Sequence, residues 1–535
     1  MLPSATVETT SGRVRGQAGG STLAFKGIPY AQGPIGRLRF APPEPPLPWA
    51  GTLDALDYGP VAPQPFAPLE ALLGGGNAPQ SEEGCLTLNV WTPGLDEGLR
   101  PVMVWIHGGA FVTGSGAAPW YDGSALAGGG DVVVVTFNYR LGALGFMCVG
   151  ANDTGAEVSC NFGLLDQLAA LSWVRENSAA FGGDPERVTI FGQSAGAMSI
   201  GALLGVPALP LLAKRAVLQS GACLHTMSLD AAARNSATLL DRLGLSPGAP
   251  DTLGSLRALP TAAFLAAQTT PLPAQVHGLG LLPVVDGVTL ALDPLEAVRR
   301  GAVASMDLLI GTNADEARIF TLSDPDLADM DGEGLLARSP ELWGPDMAAV
   351  ARAVKLYERS RPNALPRDIW AAMSTDEVFR IPAIRLAEAA AAGRISRAAD
   401  LDSHDGAGAA TFAYLFRWPT PAFGGVFGAC HSLEVPFVFD NLHQPGMSML
   451  TSQGASAGAE PPADLLVLAT RMRDAWAGFA HVGTPAVDGC DEWPAYCVAP
   501  SSSGSGYRAT MSFDISCAVV EDPGSEERLL WEAAR

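Results

Sequence analysis

The sequence predicts an α/β fold: a large, mostly parallel central sheet flanked by helices, with helical insertions. Three observations carry this. Runs such as "VMVWIHGG" from Val102 and "DVVVVTFNYR" from Asp131 are β-branched and almost continuously apolar, as strands buried on both faces must be. Stretches with helical spacing of apolar residues alternate with these runs, the pattern of a parallel sheet covered by crossover helices. The chain has 535 residues, 48% of them apolar, enough to bury a large core.

Along the chain, "APPEPPLPWAG" and "GPVAPQPFAP" read as extended or turn segments, because proline fixes φ and restrains the residue before it. "LTLNVWTP" alternates as a strand and precedes "VMVWIHGG". After the strand of "DVVVVTFNYR", "GLLDQLAALSWVRENSAAFGG" reads as a helix with a glycine stop. Strand "RVTIFG" then runs into helix "AGAMSIGALLGVP", which Pro207 closes, and "RAVLQSG" is the next strand. Later strands are expected at "MDLLIG", "TFAYLFRW" and near "ATMSFD", with Ala-rich helical stretches at 228–268 and 346–393. "LTSQGASAGAEPPAD" reads as a low-complexity loop. No repeat or linker divides the chain. Residues 1–535 are expected to form one domain with helical insertions around 228–300 and 325–400.

Composition excludes several classes. With 33 Lys and Arg against 55 Asp and Glu, the net charge is -22, which speaks against nucleic acid or an anionic membrane as partner. No run of about 18 apolar residues occurs, so no transmembrane helix is expected. The start, "MLPSATVETTSGRVRG", has neither a basic n-region nor an apolar h-region, and a cytoplasmic location is expected. The eight cysteines include no Cys-x-x-Cys, so zinc and redox motifs are unsupported. Cys148/Cys160 and Cys490/Cys497 are close enough in sequence to bridge; free thiols are the expectation in a reducing compartment.

Three serines lie in Gly-x-Ser-x-Gly: Ser194 in "GQSAG", Ser246 in "GLSPG" and Ser456 in "GASAG". A nucleophile on a strained corner needs a strand before it, a helix after it and small residues on both sides. Only Ser194 has all three. Pro247 follows Ser246 at once, and Ser456 has no strand before it. A helix starting at Ala195 also leaves unpaired N–H groups beside the serine. A serine nucleophile needs a base, and the oxyanion it generates needs donors. Gly108 and Gly109, which follow a buried strand and His107, offer two backbone N–H groups; Ala195 offers a third. One such donor is typically worth about 2.7–4 kcal/mol in the transition state.

The ordered segments "FKGIPYAQGPIGRLRFAPPEPP", "SEEGCLTLNVWTP", "HGGAFVTGSG", "NYRLGALGF", "NFGLLDQLAALSWVRENSAAFGGDPERVTIFGQSAGA", "LLPVVDG", "GTNADEARIF" and "GACHSLEVPFVF" resemble the type-B carboxylesterases, the cholinesterase/carboxylesterase branch of the α/β-hydrolases. The resemblance runs from about Val7 to the final strand. It implies the α/β-hydrolase fold and a serine carboxylesterase acting on neutral carboxylic esters, a small-molecule substrate, without cofactor or metal. It places the acid at Glu316 in "GTNADE", with Asp315 the alternative on chemistry alone, and the base at His431 in "GACHSLE". The order Ser, acid, His agrees with that fold. By the same resemblance, Ser220 and Glu434 support the triad from behind, and Arg140–Asp166 and Arg39–Glu83 are ion pairs. Of the other histidines, His107 belongs to its glycine motif and His481 ends a helix; His225, His277, His404 and His443 lie in turns.

The chain departs from the family pattern at Gly84 and at Ser432, and no cysteine precedes Cys85 to pair with it. "LLGGGNAPQ" lacks the aromatic residue that cholinesterases use for choline, so choline esters are not the expected substrate. Phe111, Phe423 and Phe427 are candidates either for the substrate pocket or for the core. Amidase, carbamate hydrolase or acyltransferase chemistry is open to the same triad. A non-catalytic scaffold of this fold would lack a triad member, and all three are present. "GSGYRA" precedes a strand instead of opening a helix, so nucleotide binding has no support. No oligomeric state follows from the sequence.

Overall fold

The computed structural model describes residues 4–67, 71, 78–151, 158–249, 251–321, 324–401, 409–444, 446–452, 460–498 and 506–534. Among these residues, thirteen strands form one sheet: β1 (Ser4–Thr9), β2 (Gly12–Gly19), β3 (Thr22–Pro29), β4 (Thr52–Asp54), β5 (Thr87–Thr92), β6 (Arg100–Ile106), β7 (Val133–Phe137), β8 (Gly183–Gln193), β9 (Arg215–Gln219), β12 (Asp307–Asn313), β13 (Thr411–Phe416), β14 (Ala509–Phe513) and β15 (Ala518–Glu521). Two short strands, β10 (Met227–Ser228) and β11 (Val284–Val285), pair separately. The spatial order is β1-β2-β3-β5-β7-β6-β8-β9-β12-β13-β14-β15, with β4 beside β2.

The sheet is mixed. From β7 to β14 every neighbour is parallel. The stretch from β1 to β7 and the last pair are antiparallel. The centre matches the sequence expectation; the three N-terminal strands lie outside it. The first two of these carry polar residues at alternate positions and expose one face, so no continuous apolar run marks them.

Strand β6 shows how the period of two builds both faces. Val102, Val104 and Ile106 enter one core cluster with Phe162, Leu164, Leu171 and Ile200. Met103 and Trp105 enter the other with Leu468, Met472 and Trp476. Helices Phe162–Asn177 and Ala195–Leu203 thus cover one face, and helix Ala463–Val482 covers the other. The Ala-rich stretches form helices Leu229–Arg242, Thr252–Ala258 and Thr261–Ala267, then Met347–Ser360, Pro366–Thr375 and Ile381–Leu401. A π-helical turn, Asp376–Arg380, joins the last two. No helix among the described residues is long and apolar enough to cross a membrane.

Two expectations are corrected. Cys148 and Cys160 are disulfide-bonded, with Cα atoms 4.4 Å apart. Mutual hydrogen bonds between Val149 and Ser159, at 2.9 and 3.0 Å, bring their neighbours side by side. The other six cysteines are free. Cys490 faces the Cys517 carbonyl at 3.3 Å instead of Cys497. Arg39 pairs with Glu82, at 2.5 and 2.6 Å, and Glu83 is exposed. The Arg140–Asp166 pair is present and buried, with contacts of 2.6 and 2.8 Å.

Candidate active site

The parallel register of β6 and β8 sets Ile106 against Gly192. The loop that follows β6 therefore lies beside the corner that follows β8, at the carboxyl ends of adjacent strands, where open α/β sheets bind ligands. Ser194 is that corner. Its φ of 55° and ψ of -127° are strained for a residue with a side chain. Its N–H donates to Gln219 O at 2.9 Å, which ties the corner to β9. Its carbonyl accepts from Met198 N–H at 2.8 Å, the first bond of helix Ala195–Leu203. The turn demands glycine: a Cβ on Gly196 would overlap Ile106 O, and one on Gly192 would lie 2.7 Å from that oxygen.

The loop after β6 is built for close approach. A Cβ on Gly108 would sit 2.9 Å from Gln193 O and 3.1 Å from the Ser194 Cβ, and one on Gly109 would overlap Thr113 O. Gly109, Ala110 and Phe111 all have positive φ, at 113°, 55° and 64°. The N–H groups of Gly108, Gly109 and Ala195 have no acceptor among the described residues. His107 is structural. It is fully buried, stacks on Tyr139 with centroids 4.4 Å apart, and contacts Gly108 O through Nδ1 at 2.8 Å. Burial lowers its pKa to about 4, so the ring is neutral.

Glu316 follows β12 and is fully buried. Its Oε1 accepts the Asn313 N–H at 2.7 Å, and its Oε2 lies 2.6 Å from His431 Nδ1. The next residue is anchored too, since Ala317 N–H donates to Thr375 Oγ1 at 3.0 Å. Asp315, the alternative acid, is turned away to Arg318 at 3.0 Å and to the Ala429 N–H at 3.0 Å. The His431 ring packs against Phe379 and Phe320, with centroids 4.8 and 5.2 Å away. With Nδ1–H directed at the carboxylate, Nε2 is an acceptor, and Gln193 Nε2 donates to it at 3.0 Å.

Behind this pair, Asn313 links two carboxylates. Its side-chain amide donates to Cys430 O at 2.7 Å and to Glu434 Oε2 at 2.6 Å, while its N–H serves Glu316. Glu434 also accepts from Gln219 Nε2 at 3.1 Å. Burial, and then the charge of Glu316, raise its pKa to about 7. Ser220 has φ of 55° and donates its N–H to Gly311 O at 2.8 Å. Its buried Oγ has no hydrogen-bond partner among the described residues. One of the two sequence departures has a local explanation, and nothing in the structure explains a serine at position 432. A Cβ at Gly84 would lie 2.9 Å from Pro60 Cγ. Ser432 holds φ of 69°, a conformation that glycine adopts without strain.

Ser194, His431, Gly108 and Gly109 line one cavity of about 710 Å³, together with Trp120, Phe320, Phe379, Phe423 and Phe427. Phe111 does not line it. It is fully buried and packs edge-on against Phe146 at 5.0 Å, so its place is the core. Ser246 lies outside any helix or strand, past helix Leu229–Arg242, and Ser456 falls outside the described residues. Sequence reasoning missed Gln193, Phe320, Phe379 and Asn313. Gln193 and Asn313 sit inside motifs already singled out; Phe379 carries no local signal, because a distant helix delivers it.

A mixed sheet with a parallel centre and a serine on a strand-to-helix corner beside an unpaired run of amides define a hydrolase of the α/β type. Comparison with known proteins specifies the family. The Carboxylesterase family model matches residues 3–512, and the chain belongs to that family. It is 38% identical over 524 residues to the para-nitrobenzyl esterase of Bacillus subtilis (strain 168), covering 98% of this chain and 97% of that one. It is 34% identical over 505 residues to the phenmedipham hydrolase of Pseudarthrobacter oxydans, covering 93% and 94%. Among solved structures, the carboxylesterase of Geobacillus stearothermophilus superposes with a TM-score of 0.82 at 38% identity, covering 98% and 99%. The protein is a carboxylic ester hydrolase.

Proposed function

We propose that the chain hydrolyses neutral carboxylic esters through Ser194, His431 and Glu316, by way of an acyl-enzyme. The observation that carries this is the 2.6 Å contact between Glu316 Oε2 and His431 Nδ1, in the cavity that also holds the strained Ser194 corner. Ser194 Oγ attacks the ester carbonyl carbon, and His431 Nε2 takes its proton once the Gln193 amide has given way. Glu316 holds the imidazole tautomer and stabilises the imidazolium. The N–H groups of Gly108, Gly109 and Ala195 receive the oxyanion. The C–O bond to the alcohol breaks as His431 protonates the leaving oxygen. Water then attacks the acyl-enzyme with His431 as base, releasing the acid and restoring Ser194. Ser220 and Glu434 hold this machinery from behind.

A p-nitrophenyl ester chain-length series on wild type and Ser194→Ala tests the proposal. Loss of hydrolysis in the variant by about 10³-fold or more is expected; unchanged hydrolysis would refute it. The same serine chemistry cleaves amides and carbamates, and the phenmedipham hydrolase among the relatives motivates that second reading. Adding an anilide and an aryl carbamate to the series decides between the two.

A further inference from the structure

Phe423 combines two features that each work against stability. Its φ of 51° and ψ of 35° lie in the left-handed region, where a bulky aromatic residue is a rare and strained occupant. It is also 60% exposed, so its ring gains little burial in return. A position with this backbone favours glycine, and Gly424 and Gly425 beside it have φ of 75° and 79°. Observed strain at a functional cavity is grounds for assigning function to the strained residue, and Phe423 lines the cavity that holds Ser194 and His431.

The loop around it has a hydrogen-bonded base and a sterically open tip. Thr420 N–H donates to Gly428 O at 3.0 Å, Gly428 N–H donates to Gly425 O at 3.1 Å, and Thr420 Oγ1 donates to Leu450 O. At the tip, a Cβ built on Gly424 would meet nothing within 4 Å, and one on Gly425 would meet only Thr420 O at 3.8 Å. The aromatic contact of the Phe423 ring is an edge-to-face packing on Phe427, with centroids 5.2 Å apart. Phe427 lines the same cavity. The ring is thus carried on a backbone with room to shift, next to an aromatic wall.

We propose that Phe423 is a specificity-determining residue, an aromatic lip at the mouth of the cavity that closes on an aryl or extended apolar group of the ester. The inference rests on the ester-hydrolase reading above. A preference for such substrates over small esters follows, because the ring exchanges water for apolar surface only when the substrate reaches it. Contact over about a third of an aromatic side chain corresponds to a roughly tenfold preference.

The test uses the full chain, wild type and Phe423→Gly, with ethyl acetate, benzyl acetate and ethyl octanoate as substrates followed by acid release. The readouts are kcat and KM for each ester and the thermal midpoint. For at least one of the two larger esters, the ratio of its kcat/KM to that of ethyl acetate is expected to fall about tenfold in Phe423→Gly, through KM. The midpoint is expected to hold or rise, since glycine relieves the backbone strain. Phe423→Leu, which keeps apolar surface without the ring, is expected to fall between the two. Ratios within twofold of wild type for both larger esters would overturn the proposal, as would a lowered midpoint, which would make Phe423 a packing residue. If wild type cleaves none of the three esters, the ester reading itself fails; if it cleaves them with unchanged ratios, only the lip fails.

Discussion

Glu434→Gln offers a measurement in which the sign, not only the size, is fixed by the structure. Glu434 is fully buried and forms no ion pair with Arg or Lys among the described residues; its oxygens accept from Asn313 at 2.6 Å and Gln219 at 3.1 Å. Its pKa rises from 4.5 to about 7, through burial and then the charge of Glu316. A carboxyl raised in the folded state stabilises that state fully below its unfolded pKa, and this is lost as pH climbs through the folded value. Stability of the wild type therefore falls between about pH 4.5 and pH 7 by up to about 3 kcal/mol from this group alone. Glutamine does not titrate, so the variant lacks that slope. It also turns an NH₂ toward a donor, at a pH-independent cost of about 1–3 kcal/mol. The difference in thermal midpoint, variant minus wild type, should thus start negative at pH 4.5 and rise by about 3 °C by pH 8, given the unfolding entropy of a chain this long. Differential scanning fluorimetry of both proteins across that range reads it directly. Parallel curves would refute the reasoning and show that Glu434 stays ionised throughout.

Asp166→Asn leaves the buried Arg140 guanidinium without its carboxylate and should cost about 3–5 kcal/mol, seen as a lowered denaturant midpoint. Gly196→Ala forces a Cβ onto Ile106 O; it should abolish ester hydrolysis or folding, whereas Ala197→Gly on the same helix should retain both. Titration of the denatured, unreduced protein with a thiol reagent should count six thiols, and eight after reduction, in accord with one disulfide and six free cysteines.

The centre of the fold was legible because both of its faces are covered. Strands β6 and β7 are apolar at nearly every position, and β8 is buried throughout from Val188 to Gln193, which separates them from amphipathic elements. The N-terminal strands were not legible for the opposite reason. "SATVET" and "GRVRGQAG" bury only alternate residues, and they are held by neighbours rather than by their own composition. At the site, the serine corner and the glycine loop could be read because steric crowding restricts them to small residues. The acid and base required the family resemblance: Glu316 and His431 are 115 residues apart, and no local pattern pairs them. The ion pair of Arg39 was displaced by one residue, since adjacent glutamates look alike in sequence while only Glu82 faces the guanidinium. Phe379 and Gln193 became visible only when the tertiary structure brought them against the imidazole.

The central claim is that Ser194 is the nucleophile. Incubation with a fluorophosphonate, followed by peptide mass spectrometry, addresses it without reference to any particular ester. The account predicts a single stoichiometric adduct on Ser194, complete loss of hydrolysis as it forms, and no labelling of Ser194→Ala. An adduct on another serine, or full activity in a protein labelled at Ser194, would contradict it.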